Sequence, residues 1–173
     1  MQRHAGDARK ALRVFGGEEL RFAVSAYQSL LFNRVAGARL AAGTLGTLLA
    51  GDLAWRHANG AVFRVEDPER ERARAEAFEI SPSGPLFGHR MTRPEGEPGR
   101  IEEAVLASEG LDGGEFLRRG PYQWKGARRA LRVPLADPSC REGQDEHGAY
   151  LELGFALPAG SYATAVLREV RKA

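Results

Sequence analysis

Apolar residues recur at helical spacing early in the chain. Over 26–41, Tyr27, Leu30, Leu31, Val35 and Ala38 fall on one side, with Gln28, Arg34 and Arg39 facing outward. Ser25 stands before this run as an N-cap and Gly43 ends it. A shorter, ragged helix over 6–13 is predicted from Ala8, Ala11 and Leu12, broken by Gly16-Gly17. Next come two short arms, 53–57 and 61–65, around Ala58-Asn59-Gly60. Asn-Gly is a strong hairpin signal because both central residues tolerate positive φ. Trp55 and Phe63 are the expected sheet-face anchors. Asp67-Pro68-Glu69 supplies an N-cap, a proline for the first turn and an early acid. That predicts an exposed helix over 68–79, with Ala73, Ala77 and Phe78 as its packing candidates.

The pattern then weakens. Prolines and glycines between 81 and 100 predict a long loop. A helix is expected over 101–109, with Ile101, Ala104 and Val105 on one side. Residues 110–127 read as irregular, 128–135 as extended, and 134–148 as a second loop. The end is regular again. Leu151, Leu153, Phe155 and Leu157 alternate with Glu152, Gly154 and Ala156, as in a half-buried strand. Pro158-Ala159-Gly160 turns the chain, and Ser161 is placed to cap a final helix whose Arg168, Arg171 and Lys172 suit its C-terminal end.

Composition sets bounds. With 173 residues, 43% hydrophobic and 28% charged, the chain has room for one domain or two small lobes. No apolar run is long enough to span a membrane. A single cysteine, Cys140, excludes an internal disulfide, and it lacks an evident activating partner. The four histidines show no metal-ligand spacing, and no phosphate-binding glycine motif occurs. A cytoplasmic setting is the default. Of the 25 basic residues, three are lysine and the rest arginine. Arginine suits phosphate and base recognition, although a GC-rich genome produces the same bias.

Two segments carry more. Ser25-Ala-Tyr-Gln-Ser-Leu-Leu-Phe-Asn33 and Leu157-Pro-Ala-Gly-Ser-Tyr-Ala-Thr-Ala-Val-Leu-Arg-Glu169 resemble the tRNA pseudouridine synthase D (TruD) family. Weaker blocks support the match by their order: Gly51-Asp52, Ser81-Pro82-Ser83-Gly84-Pro85-Leu86 with Gly88, Glu102-Glu103, and Gly126-Ala127-Arg128-Arg129. The resemblance implies an α+β fold. A helix-rich TRUD-type insertion domain with a small hairpin or sheet would span 17–132. Residues 1–16 would be a remnant helix leading from the catalytic domain. Residues 133–173 would return to that mixed-sheet domain as its last strand and helix.

The implied activity is isomerisation of uridine at position thirteen of tRNA to pseudouridine, with tRNA as partner and no metal or organic cofactor. A base worked on in this way must leave its stack, so the pocket needs an aromatic face and a carboxylate. By resemblance Tyr162 is the aromatic, where the family more often has phenylalanine. Ser161, Arg168 and Glu169 are expected beside it. Arg128, Arg129, Lys125, Arg34 and Arg39 are candidate contacts to RNA phosphate. Gln28 and Asn33 read as helix surface.

The family's Gly-X-Lys-Asp motif is not found, since none of the three lysines precedes an aspartate. Nor is the Asn-(Tyr/Arg)-Phe-Gly motif, which the resemblance places just before residue 1. The six aspartates all fall in turn or cap contexts, and Asp52 is expected to serve a turn. The expectation is therefore a chain inactive alone, needing an N-terminal catalytic segment of the same enzyme. The alternative is a non-catalytic RNA-binding or scaffolding module derived from the TRUD domain.

Overall fold

The computed structural model describes residues 16–114 and 124–172. It divides into two compact units, Met1–Leu131 and Arg132–Ala173. The helix expected over 6–13 lies outside the described residues.

The first unit opens with helix α1, Gly17–Ala41, which begins eight residues before the expected N-cap. Gly16 takes the cap position and Glu18 and Glu19 face the helix dipole in the first turn. Ser25 therefore sits inside the helix, where its carbonyl accepts the Ser29 hydroxyl at 2.8 Å. The buried side of α1 is Leu31, Phe32, Val35 and Arg39, whereas Leu30 and Ala38 are exposed.

A four-stranded antiparallel sheet follows, in the order β2-β1-β3-β4. Strands β1 (Leu53–Arg56) and β2 (Val62–Arg64) form the expected hairpin, with Gly60 at φ 71°. Trp55 faces Val62, and Phe63 faces Ala54, so the two anchors lie on opposite faces. Helix α2, Pro68–Glu76, is capped as expected: the Asp67 side chain accepts from the amides of Glu69 and Arg70. It packs through Ala75 rather than Ala73, Ala77 or Phe78, which are exposed.

The largest departure is at 81–100. Ile80–Leu86 is strand β3, and its residues Ile80 through Pro85 are all buried. Proline ordinarily excludes a central strand. Here each half of β3 pairs with a different neighbour. Ile80, Ser81 and Pro82 pair with β1, and Ser83 through Leu86 pair with β4, Ala127–Ala130. The Ser83 hydroxyl adds a side-chain donor, reaching the Leu53 carbonyl at 2.5 Å. Helix α3 then runs Gly96–Ser108, so Gly96, Pro98 and Gly99 begin a helix instead of extending a loop. Pro98, Glu102, Val105 and Leu106 are its buried residues, while Ala104 is exposed.

Two apolar clusters hold this unit. Leu31, Val35, Phe87, Val105 and Leu106 join α1 to α3, with Tyr27 and Trp124 packed at the edge. Leu48, Ala54, Val65, Ala75 and Ile80 join the hairpin to α2. Gly84 lets α1 lie close on the sheet, since a Cβ there would come within 2.8 Å of both Phe32 and Leu131.

The second unit is a two-stranded ribbon and one helix. The expected loop at 134–148 is instead strand β5, Ala136–Asp145, paired with β6, Gly148–Ala156. A register shift between Ala136 and Ser139, with Asp137 at φ 49°, marks a bulge. Helix α4 spans Ala163–Val170. Tyr162 occupies its N-cap and no side chain caps it, so Ser161 does not take the expected role. The alternation over 151–157 does give a strand, but among the described residues of this unit none is buried.

Candidate RNA-facing site

The arginines chosen for RNA divide by burial. Arg39 is not on the outside of α1. It is 2% exposed, and its guanidinium holds Asp52 with both outer nitrogens, at 2.9 and 3.0 Å. It also donates to the carbonyls of Thr44 and Thr47. Asp52 in turn accepts the Leu49 amide at 2.8 Å. The pair ties the end of α1 to the turn that feeds β1, which leaves no donor face for a ligand. A lone arginine on the polar side of a helix reads as solvated; its acid partner lies 13 residues on, which helical periodicity does not reveal.

Arg128 is likewise internal. It bonds Glu102 of α3 at 2.8 and 3.1 Å, and its Nε donates to the Ser83 hydroxyl at 3.1 Å. Burial pushes the Glu102 carboxyl above the usual carboxylate range, and the Arg128 guanidinium counters this only in part. A raised folded-state pKa means that folding favours the protonated acid. That stabilisation is complete below the unfolded value of 4.5 and is lost as pH rises through the raised pKa. Urea titrations of the wild type and Glu102→Gln from pH 4 to 7 are expected to show the wild type losing stability relative to the variant. The opposite slope would mean that Arg128, not desolvation, governs this carboxyl.

The remaining candidates are accessible. Arg34 is exposed and pairs with Glu109. Arg129 is half-buried, with its guanidinium 5.6 Å from the Phe32 ring centre. Lys125 is exposed and borders a cleft of about 550 Å³. One wall is the first half of α1, including Leu20, Arg21 and Val24; the other is Leu86 and Trp124–Ala127. The second wall is fixed by a close crossing of backbone. His89 and Arg90 donate their amides to the carbonyls of Trp124 and Lys125, each at 2.8 Å. Gly88 allows it, because a Cβ there would lie 2.2 Å from the Gly126 nitrogen. Gln28, expected at the surface, braces the two walls by donating to the Phe87 carbonyl at 2.7 Å. Asn33 is exposed as expected. Sequence reasoning missed the cleft, since its walls are about a hundred residues apart.

The pocket candidates of the second unit share one turn and helix. Ser161 donates its amide to the Pro158 carbonyl at 3.1 Å. Tyr162 is 73% exposed at the start of α4. Arg168 is in the last turn, and Glu169 is held by Lys172 at 2.6 Å. These residues stand on the surface of a small, open unit.

Four of the five aspartates among the described residues accept hydrogen bonds from nearby amides. Besides Asp52 and Asp67, Asp112 accepts the Gly114 amide and Asp145 accepts the His147 amide. His57 and Ser81 stand 2.8 Å apart, but Ser81 is fully buried, so its hydroxyl is out of a substrate's reach. Among the described residues no three of His, Cys, Asp and Glu are grouped as a metal ion would require.

The family model described as tRNA pseudouridine synthase D (TruD) matches residues 1–170. A tRNA pseudouridine synthase D of Geobacter metallireducens is 52% identical over 166 residues, covering 96% of this chain and 40% of the relative. One from Thermus thermophilus is 46% identical over 152 residues, covering 88% and 40%. The crystal structure assigned to a tRNA pseudouridine synthase D from Methanosarcina mazei superposes with a TM-score of 0.73 at 28% identity, covering 93% of this chain and 40% of that one. The chain thus spans about two fifths of the length of these relatives, and it belongs to the tRNA pseudouridine synthase D (TruD) family.

Proposed function

We propose that this chain works as part of a tRNA pseudouridine synthase that converts uridine to pseudouridine at position thirteen of tRNA. Residues 17–132 act as its insertion domain and 133–173 as the last strand and helix of its catalytic domain. The reaction detaches the base and rejoins it through carbon. Tyr162 lines the pocket, with Ser161, Arg168 and Glu169 near it, and the catalytic carboxylate comes from another segment of the enzyme. The setting is the cytoplasm, where tRNA is processed; among the described residues no helix is long and apolar enough to cross a membrane.

One observation carries this reading. In the second unit none of the described residues is buried, yet Leu151, Leu167 and Val170 are apolar and 65%, 41% and 52% exposed. A lone two-stranded ribbon is marginal in water, and so is an eight-residue helix. Such a piece gains stability by packing on further strands, and a catalytic sheet supplies them.

The alternative, a non-catalytic RNA-binding module, draws on the first unit, which has its own buried clusters. One experiment separates the two. Unmodified tRNA transcript is incubated with this chain alone, and with this chain plus the complementary three fifths of the Geobacter metallireducens relative. Pseudouridine is then mapped by primer extension after carbodiimide treatment. Product is expected only in the mixture. Turnover by the chain alone would refute its dependence on a second segment. No product in either tube, with tRNA binding retained, would favour the binding module.

A further inference from the structure

The cleft between α1 and the 124–127 wall has the makings of a nucleotide site. Its volume, about 550 Å³, falls in the range of roughly 300–1,000 Å³ typical of small-ligand pockets. Leu20 and Val24 on one wall and Leu86 on the other are apolar, and Trp124 is the aromatic residue of the lining. Among the described residues, the only ionisable ones that line it are Arg21 and Lys125, both exposed cations. The acids of the first turn of α1, Glu18 and Glu19, are not part of the lining. Ser25 and Gln28 bring polar groups to the α1 side.

An aromatic residue beside cations, with no carboxylate among the described lining residues, matches the way proteins hold single-stranded nucleic acid. The ring stacks a base and the cations meet the flanking phosphates. An apolar peptide segment would leave both cations without partners, whereas RNA phosphates pair with them. From this charge complementarity we infer that the cleft binds one unstacked nucleotide of RNA, its base against Trp124 and its phosphates at Arg21 and Lys125. The inference rests on the reading of the chain as part of a tRNA-modifying enzyme, and it adds a second RNA contact outside the Tyr162 segment. The positions of Trp124 and Lys125 are set by their carbonyls, which are tied to the amides of His89 and Arg90, with the His89 ring Nδ1 also 2.8 Å from the Trp124 carbonyl oxygen. The site is therefore formed before RNA arrives.

The chain has two tryptophans, so Trp55→Phe leaves Trp124 as the sole indole reporter. Titrating that variant with a five-residue oligouridylate is expected to quench its fluorescence saturably. The same oligomer with an abasic centre should bind more weakly and quench little. Adding Arg21→Glu and Lys125→Glu, both at exposed positions, should lower affinity by more than about tenfold and flatten the salt dependence by about 0.7 per lost phosphate contact. Circular dichroism melts should stay unchanged. Equal quenching by the abasic oligomer would overturn base stacking on Trp124. No quenching, with tRNA still shifted on a gel, would place RNA elsewhere and overturn this inference while sparing the proposed function. Absence of any tRNA binding at low salt would overturn both.

Discussion

Arg39→Ala is expected to unfold the first unit or bring it close to unfolding. The substitution leaves Asp52, 1% exposed, without its guanidinium and removes three further hydrogen bonds to the carbonyls of Thr44 and Thr47. Removing one partner of a buried ion pair costs about 3–5 kcal/mol, against a total stability of about 5–15 kcal/mol for an ordinary domain. Urea denaturation followed by circular dichroism measures the loss. The double variant Arg39→Met with Asp52→Leu should recover part of it, because no uncompensated charge then stays inside. A loss below about 1 kcal/mol in Arg39→Ala would mean that water reaches this pair and that it behaves as a surface bridge.

Gly88→Ala is expected to be nearly as damaging, for a different reason. Its new methyl would lie 2.2 Å from the Gly126 nitrogen and 2.4 Å from the Trp124 carbonyl oxygen. Both are backbone atoms, so no rotamer change relieves the overlap. Two amide bonds cross here, from His89 and Arg90, and losing them costs about 1 kcal/mol each. Overpacking adds about 1–3 kcal/mol. A combined loss of roughly 3–5 kcal/mol follows, and the wall that carries Trp124 and Lys125 moves with it. The same melts and the same oligouridylate titration check both effects. A variant with native stability and unchanged RNA affinity would show that the 88–91 and 124–127 segments are not held as described.

The two variants mark where local sequence stops being informative. Arg39 sits on what a helical wheel makes a polar face, and Arg128 belongs to a basic doublet. Both readings treat a charge as solvated until an acid is found for it. Asp52 and Glu102 are those acids, and each reaches its arginine through folding rather than through helical spacing. Ser81-Pro82-Ser83-Gly84-Pro85 misleads in the same way. Its composition is that of a loop, and it becomes the buried strand β3 because each half pairs on one side while the Ser83 hydroxyl adds a bond. Ser161 has the chemistry of a cap but sits one residue too early, with Tyr162 in the cap position.

Elements whose signals are local were legible from the start. The Asn59-Gly60 hairpin, the Asp67-Pro68 cap, the body of the first helix and the alternating strand near the end all follow from a few adjacent residues. Membership of the TruD family was legible too, because the blocks at 25–33 and 157–169 keep their residues in order. What folding alone set is which charges are inside and which surfaces meet. Burial of Arg39 and Arg128, the crossing at Gly88 and Gly126, and the cleft that joins α1 to Trp124 all bring together residues distant along the chain. Their energies come from desolvation and close packing, which no local window of sequence contains.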